Sequence, residues 1–308
     1  MINTKKTYSP IVVFGFNRPD ALKNTIASLL LNEEAKQSDL FIFVDGPREG
    51  RDGEKEKVDA VRDYVKSITG FKSLHYTFSE RNNGLANSII KGVSKVINKF
   101  GRVIVLEDDL SVQPNFLAFM NQGLEKYEDV DKIFSIGGYT NKLRIPTDYQ
   151  ADAFVFNDST SWGWATWKNR WDTIDWKLEP FDNYRKYKSA FNKWLGSDAW
   201  RMLKRWHKGE IKSWSIRFNF AQFMQDRPAI APVYSLVAND GFDGNGTNCK
   251  AWSRFKYELE PTGKKNFTWP EDLKIDQRLR KQAMWYSSIP IRIFSRIMYI
   301  IYPLIKRL

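Results

Sequence analysis

Val103-Ile104-Val105-Leu106-Glu107-Asp108-Asp109 sets four apolar, mostly β-branched residues directly against three carboxylates. A short apolar run bounded by polar residues suits a strand covered on both faces, as in a parallel sheet. The theme recurs upstream at Ile11 to Phe16, Leu40 to Val44 and Leu74 to Phe78, with longer amphipathic stretches between. Val58, Val61, Val65 and Ile68 recur at steps of three and four, as do Leu85, Ile89, Val93, Val96 and Phe100. Each set draws one core-facing stripe along a helix. Pro19 suits the first turn of a helix, where its missing N–H would be unpaired anyway. Strand and helix in alternation predict an α/β fold with a mainly parallel sheet flanked by helices.

Ligands of open α/β sheets sit beyond the carboxyl ends of the strands, so Glu107, Asp108 and Asp109 face the expected crevice. Three adjacent acids raise one another's pKa unless a cation or hydrogen-bond donors compensate, and Mn²⁺ or Mg²⁺ is the natural oxygen-ligated partner. The same acids would also serve as caps of the helix expected at about Pro114 to Tyr127, or as solvated charges; their spacing alone leaves these readings open.

Beyond residue 110 the alternation fades into that helix, a strand at Ile133 to Ile136, and a Trp-rich region from Ser161 to Trp214. A strand-like run, Ala229 to Val237, precedes a polar, glycine-rich loop from Asn239 to Asn248. No repeat or low-complexity linker divides the chain. The expected organisation is one catalytic domain over residues 1–288 and a tail over residues 289–308. Within the domain, about 8–130 would bind nucleotide sugar and 131–260 would form an acceptor half.

With 308 residues, 42% hydrophobic and 27% charged, the composition is that of a globular protein. The net charge of +12 attracts anions, whether phosphates, nucleic acid or anionic lipid. One cysteine, Cys249, excludes an internal disulfide, and two histidines make a His/Cys zinc site improbable. A reducing, cytoplasmic compartment is expected, with no secretory signal at the amino terminus and no spanning helix.

Val103 to Leu110 followed by Gln113-Pro114-Asn115-Phe116 resembles the Glu-Asp-Asp form of the DXD motif in GT-A glycosyltransferases. The likeness is to the Golgi β-1,2-N-acetylglucosaminyltransferases and bacterial family 2-like enzymes of capsule and O-antigen assembly, and covers about residues 10–250. It implies a GT-A, Rossmann-like fold in which Asp109 binds Mn²⁺ or Mg²⁺ while Glu107 and Asp108 contact sugar and ribose. It likewise places Arg18 at the diphosphate, Phe16 and Asn17 beside it in the nucleotide-sugar site, and Asp45 at the uracil, with Arg81 and Asn83 in the signature Arg81-Asn82-Asn83-Gly84-Leu85-Ala86 beside the nucleotide. Trp162, Gly163 and Trp164 resemble the segment that lines donor sugar and acceptor. A surface arginine, an Asp-Gly turn, an asparagine cap and a buried aromatic knot are the structural alternatives for these motifs.

The implied chemistry is inverting displacement at the anomeric carbon, with a carboxylate deprotonating the incoming hydroxyl. In the Golgi relatives that base lies in a Trp-Asp-Asp-Trp segment, whose nearest counterpart here, Ser213-Trp214-Ser215-Ile216-Arg217, contains no acid. Glu210, Asp240 and Asp243 stand nearby; Glu210 and Asp243 are the expected candidates.

The tail is a basic amphipathic helix: Ile293, Phe294, Ile297, Met298, Ile301, Leu304 and Ile305 are apolar, while Arg292, Arg296, Tyr299 and Lys306 recur on a polar stripe, with a break near Pro303. This predicts an in-plane helix on anionic lipid, peripheral on the inner face of the cell membrane; docking on the domain itself is the alternative. The expected partners are a nucleotide-sugar donor, UDP-linked by resemblance, and a saccharide acceptor carried on lipid in surface polysaccharide synthesis. Three other readings stand. A basic nucleic-acid-binding protein would suit the charge, but its lysines and arginines are scattered and the acids would repel phosphate, so no nucleic acid is expected. A nucleotidyltransferase would need a glycine-rich phosphate loop where Phe16-Asn17-Arg18-Pro19 stands. A catalytically inactive carbohydrate-binding relative would explain the missing base.

Overall fold

The computed structural model describes residues 7–241, 255, 259 and 263–305. Ten strands run in chain order: β1 Ile11–Gly15, β2 Asp39–Val44, β3 Ser73–Phe78, β4 Arg102–Glu107, β5 Leu110–Val112, β6 Ser135–Gly137, β7 Ala153–Phe156, β8 Trp164–Trp167, β9 Ala229–Pro232 and β10 Val237–Asn239. Among them stand helices α1 Pro19–Leu30, α2 Glu54–Ser67, α3 Leu85–Phe100, α4 Phe116–Lys126, α5 Lys168–Trp171, α6 Lys188–Leu195, α7 Ala199–His207, α8 Ser215–Met224, α9 Gln277–Trp285 and α10 Ile289–Ile305.

The main sheet has eight strands in the order β3-β2-β1-β4-β8-β6-β9-β7, with β8 and β7 antiparallel to their neighbours and the others running one way. The fold is mixed α/β with a mainly parallel sheet flanked by helices. Alternation along each strand sorts side chains between two faces. Ile11 and Val13 pack with Leu22, Ile26, Val58 and Val61 of α1 and α2 on one face, while Val12 and Phe14 pack with Ile89 and Val93 of α3 on the other. Fully burying such a side chain contributes about 1.5–3 kcal/mol, so these stripes fix which face each helix covers.

The chain moves outward from β1 to β2 to β3, then returns to add β4 on the other side of β1. This reversal opens a crevice between the carboxyl ends of β1 and β4. The sheet then continues without interruption into the Trp-rich half, because β8 pairs with β4 from Trp164↔Val105 to Trp167↔Arg102.

Four expectations are corrected. β3 is an edge strand with His75, Tyr76 and Thr77 exposed, not a strand covered on both faces. Leu85, expected in the core stripe of α3, is 41% exposed at the helix start. The run from Ala229 to Val237 divides between two sheets: β9 joins the main sheet, and β10 pairs with β5 in a separate ladder. Pro232, which has no N–H to continue a ladder, ends the first piece. Finally, α10 passes Pro303 without a break and ends at Ile305.

Candidate active site

Phe16, Asn17 and Arg18 follow β1, and Glu107, Asp108 and Asp109 end β4, so the β1/β4 reversal brings the two motifs together. Arg18 bridges both aspartates: its Nη2 donates to Asp108 Oδ1 in a short contact, and its Nη1 donates to Asp109 Oδ2 at 3.0 Å. The Phe16 N–H donates to Asp108 Oδ2 at 3.2 Å, and Thr25 Oγ1 on α1 donates to the Asp108 carbonyl at 2.9 Å. Asn17 does not reach the acids; its side chain donates to Glu54 Oε1 at 3.2 Å. Glu54, buried at the start of α2, also holds the Arg48 guanidinium and accepts from the Arg48 N–H at 2.7 Å. Hydrogen bonding from Arg48 is the main cause that holds Glu54 down at about 2, against the opposing effect of burial. The loop after β1 is thus tied both to the end of β4 and to the start of α2.

Electrostatics set the acids apart. Burial first, then Asp109 and Asp108, push Glu107 up to about 8, with Arg18 opposing. Burial pushes Asp108 up to about 6; Arg18 opposes that rise and Asp109 adds to it. Burial pulls Arg18 down, but the two aspartates outweigh it and hold the guanidinium above its ordinary value.

Asp109 Oδ1 is buried and has no hydrogen-bond partner among the described residues. The antiparallel β10–β5 ladder brings residues 237–241 alongside: the Asp240 N–H donates to the Asp109 carbonyl at 2.8 Å. A Cβ added to Gly241 would stand 2.7 Å from Asp109 Oδ2, so only glycine leaves that carboxylate where it is. Asp240 itself is exposed and takes a short hydrogen bond from Ser111 Oγ.

Asp45 directly follows β2, buried, and accepts from the backbone N–H groups of Gly46, Asn83 and Gly84 and from the Asn83 amide. Its carboxylate latches the loop after β3 to the end of β2. The close approach requires Gly46, whose added Cβ would lie 2.6–2.7 Å from the backbone of Glu80 and Arg81. Arg81 is exposed beside this latch.

The Gly-Trp segment separates into two roles. Trp164, expected at the donor sugar, is 1% exposed and stacks on Trp214 at 4.9 Å and Trp171 at 5.9 Å. Its strand position turns it into the core, so the expected ligand contact is corrected to packing. Gly163 sits at φ +63° with Phe116 and Val237 too close for a side chain. Trp162, two residues ahead of Trp164, lines a cavity of about 330 Å³ with Tyr139, Asp158, Ser215 and Asn219.

The two expected bases fare differently. Glu210 lies on an exposed turn after α7, paired with Arg205 at 3.2 Å, and does not line the cavity. Asp243 lies outside the described residues, as does most of the loop from Asn239 to Cys249. The cavity instead holds Asp158, which the sequence reading passed over. Its signal was present as the apolar run Ala153 to Phe156 ending in Asn157-Asp158-Ser159-Thr160, a strand followed by a polar turn.

A second depression of about 690 Å³, lined by Asp131, Lys132 and Arg227, lies by the amino ends of β6 and β9, away from the acids.

A family model described as "Glycosyl transferase family 2" matches residues 11–205, more than half of the chain. Among solved structures, the chain is similar to "Mannosyltransferase PcManGT from Pyrobaculum calidifontis in complex with GDP-Man and Mn2+", at 12% identity and TM-score 0.37, over 57% of this chain and 47% of that one. It is also similar to S. aureus TarS, at 11% identity and TM-score 0.32, over 47% of this chain and 24% of that one. The chain thus spans under half the length of each, and likenesses at these scores carry no argument about function.

Proposed function

The chain belongs to glycosyl transferase family 2 and is a glycosyltransferase; on that premise we propose that it moves a sugar from a nucleotide diphosphate sugar, with a divalent cation, to a saccharide hydroxyl. The observation that carries this reading is the meeting of Arg18 with Asp108 and Asp109 at the β1/β4 reversal, where ligands of such sheets bind. Phe16, Arg18, Glu107 and Asp108 would face the donor, with Arg81 and the Asp45–Asn83 latch at the nucleotide. UDP is favoured by the resemblance of the motifs.

The residues fit Mn²⁺ or Mg²⁺ on one count: the buried Asp109 Oδ1 is a carboxylate oxygen with no hydrogen-bond partner among the described residues. Among the described residues no three His, Cys, Asp or Glu side chains converge as a metal cage. One carboxylate with substrate phosphates as the further ligands is a usual arrangement for Mg²⁺. When bound, the cation supplies charge neutralisation for the departing diphosphate. The chain's own part is to hold Asp109 by Arg18 and by the ladder behind it.

The acceptor is proposed to be a lipid-linked saccharide. Ile289, Ile293, Phe294, Ile297 and Ile301 of α10 are 39–61% exposed, with Arg296 also exposed among them, so the helix offers apolar area and positive charge together. That combination suits an in-plane helix on anionic lipid at the inner face of the membrane. No helix among the described residues is long and apolar enough to cross a membrane.

The test is thermal shift with UDP, GDP and their sugars, with and without Mn²⁺, since a ligand of the native state raises Tm by mass action. Metal-dependent stabilisation is expected in the wild type and lost in Asp109→Ala. Equal stabilisation of a folded Asp109→Ala protein would refute the metal role of Asp109.

A further inference from the structure

Helix α10 buries a serine and exposes isoleucines. Ser295 is 1% exposed, its hydroxyl donating to the Ile291 carbonyl at 2.8 Å, while Ile293 and Ile297, two positions to either side, are 54% and 47% exposed. A helix shielding its own core would reverse that order. Trp285, the last residue of α9, is 55% exposed and stands four positions before the exposed Ile289, so the outward apolar row begins ahead of α10.

The same helix is pinned to α7 by charge. Arg292 Nη2 lies 3.3 Å from Asp198 Oδ2, and Arg292 Nη1 donates to Ser197 Oγ at 3.1 Å. Asp198 Oδ2 also meets Arg201 of α7 at 3.6 Å, so one carboxylate oxygen joins the two helices. After Arg201, the exposed residues Lys204, Arg205 and Lys208 follow at steps of three, one and three. That spacing sets the four cations on one side of α7, while Trp200 and Leu203 are buried on the other. At about 1.5 Å per residue the stripe runs about 10 Å away from the junction with α10. Among the described residues its acid partners are Asp198 and Glu210, the latter 3.2 Å from Arg205 and 3.9 Å from Lys208, and Lys204 has none.

We propose that α7 is a second contact of this chain with an anionic bilayer, in which Arg201, Lys204, Arg205 and Lys208 take the phosphates of lipid headgroups beside the place where α10 lays its isoleucines. The inference rests on the membrane reading of α10 above and extends it to residues outside the tail. Cations and exposed apolar residues adjoin through Asp198, and a headgroup layer over hydrocarbon takes both at once. Nucleic acid would take the cations and leave Ile289, Ile293 and Ile297 in water. A second copy meeting this one on the same patch would bring like charges together. Trp285, at the start of the apolar row, suits the boundary between headgroups and hydrocarbon. Because Asp198 ties the two helices together, the domain is held in one orientation at the surface instead of swinging from a tail.

The experiment is co-sedimentation of the full chain with phosphatidylcholine vesicles carrying rising fractions of phosphatidylserine, over a salt series. Lys204→Gln with Lys208→Gln is expected to weaken binding to the phosphatidylserine vesicles by about tenfold or more, with Tm unchanged and a shallower dependence on salt. If the pair does not fold, Lys204→Gln alone, expected to lose about fivefold, decides in its place. Binding by these variants within about twofold of wild type, with the same salt dependence, would overturn the α7 contact. Should Ile293→Asn with Ile297→Asn still lose binding in that assay, the α10 reading would stand without it. No binding of the wild type to any of the vesicles would overturn both. Binding of the wild type to duplex DNA at physiological salt, lost in the lysine variant and with no vesicle binding beside it, would give the stripe to nucleic acid and overturn the proposal.

Discussion

Arg18 Nη1 lies 3.0 Å from Asp109 Oδ2, although 91 positions separate the two residues in the chain. The positive charge facing the two aspartates comes from the chain itself. Arg18→Gln removes it and leaves Asp108 and Asp109 facing each other without compensation. A fall in Tm of several degrees is expected, since breaking a largely buried pair costs up to about 3–5 kcal/mol and Arg18 keeps some solvent contact. Mn²⁺ alone should restore part of the loss and stabilise Arg18→Gln more than the wild type. Thermal shift across a Mn²⁺ series checks this, and equal metal responses would refute the compensation.

The latch at Asp45 depends on space. Gly46→Ala drives a methyl group into the backbone of residues 80 and 81, which cannot retreat without releasing the Asp45 hydrogen bonds. A loss of about 1–3 kcal/mol is expected. Chemical denaturation should show it as a lower midpoint with an unchanged slope.

Glu54 ties stability to acid. Its folded pKa of about 2 lies below the ordinary 4.5, so the unfolded chain binds the proton first. The stabilisation is complete above about pH 4.5 and is lost as pH falls toward 2. Glu54→Gln should therefore melt several degrees below wild type at pH 7, and the gap should narrow between pH 4.5 and 2. Paired melting curves over that range test it; a gap independent of pH would mean that the charge is immaterial.

The exposed face of α10 makes a separate claim. Ile293→Asn with Ile297→Asn in the full chain should weaken co-sedimentation with phosphatidylserine vesicles by about tenfold or more, because each isoleucine buried in lipid is worth about 1.5–3 kcal/mol. Binding by the wild type should fall as salt rises. Equal binding by wild type and variant would remove α10 as the contact.

The parallel half was legible because strands covered on both faces are bare apolar runs: β1, β2 and β4 announce themselves, and each ends in the residues that meet at the crevice. β3 was placed correctly, but its edge position was hidden, since an apolar-looking run does not say which neighbour is missing. β7 escaped notice. Its four apolar residues lie among polar turns, and its place at the far edge is decided by pairing with β9, which is 73 or more positions away. Trp164 shows the converse error. Composition marks a tryptophan as fit for sugar stacking, but which of two tryptophans two residues apart faces inward depends on how β8 meets β4. Asp158 acquires meaning through α8, α7 and α9, and no local spacing encodes that assembly.

The ladder between β4 and β8 also bears on how substrates would enter. Because one sheet runs through both halves, prising them apart would tear backbone hydrogen bonds across four register pairs. The molecule therefore has no clamshell motion available at that line. Traffic through the crevice would then be governed by its rims, the turns after β1 and β3, while the two walls stay at constant separation. A rigid interval of this kind acts as a ruler, and it would favour acceptors of one reach over those of another.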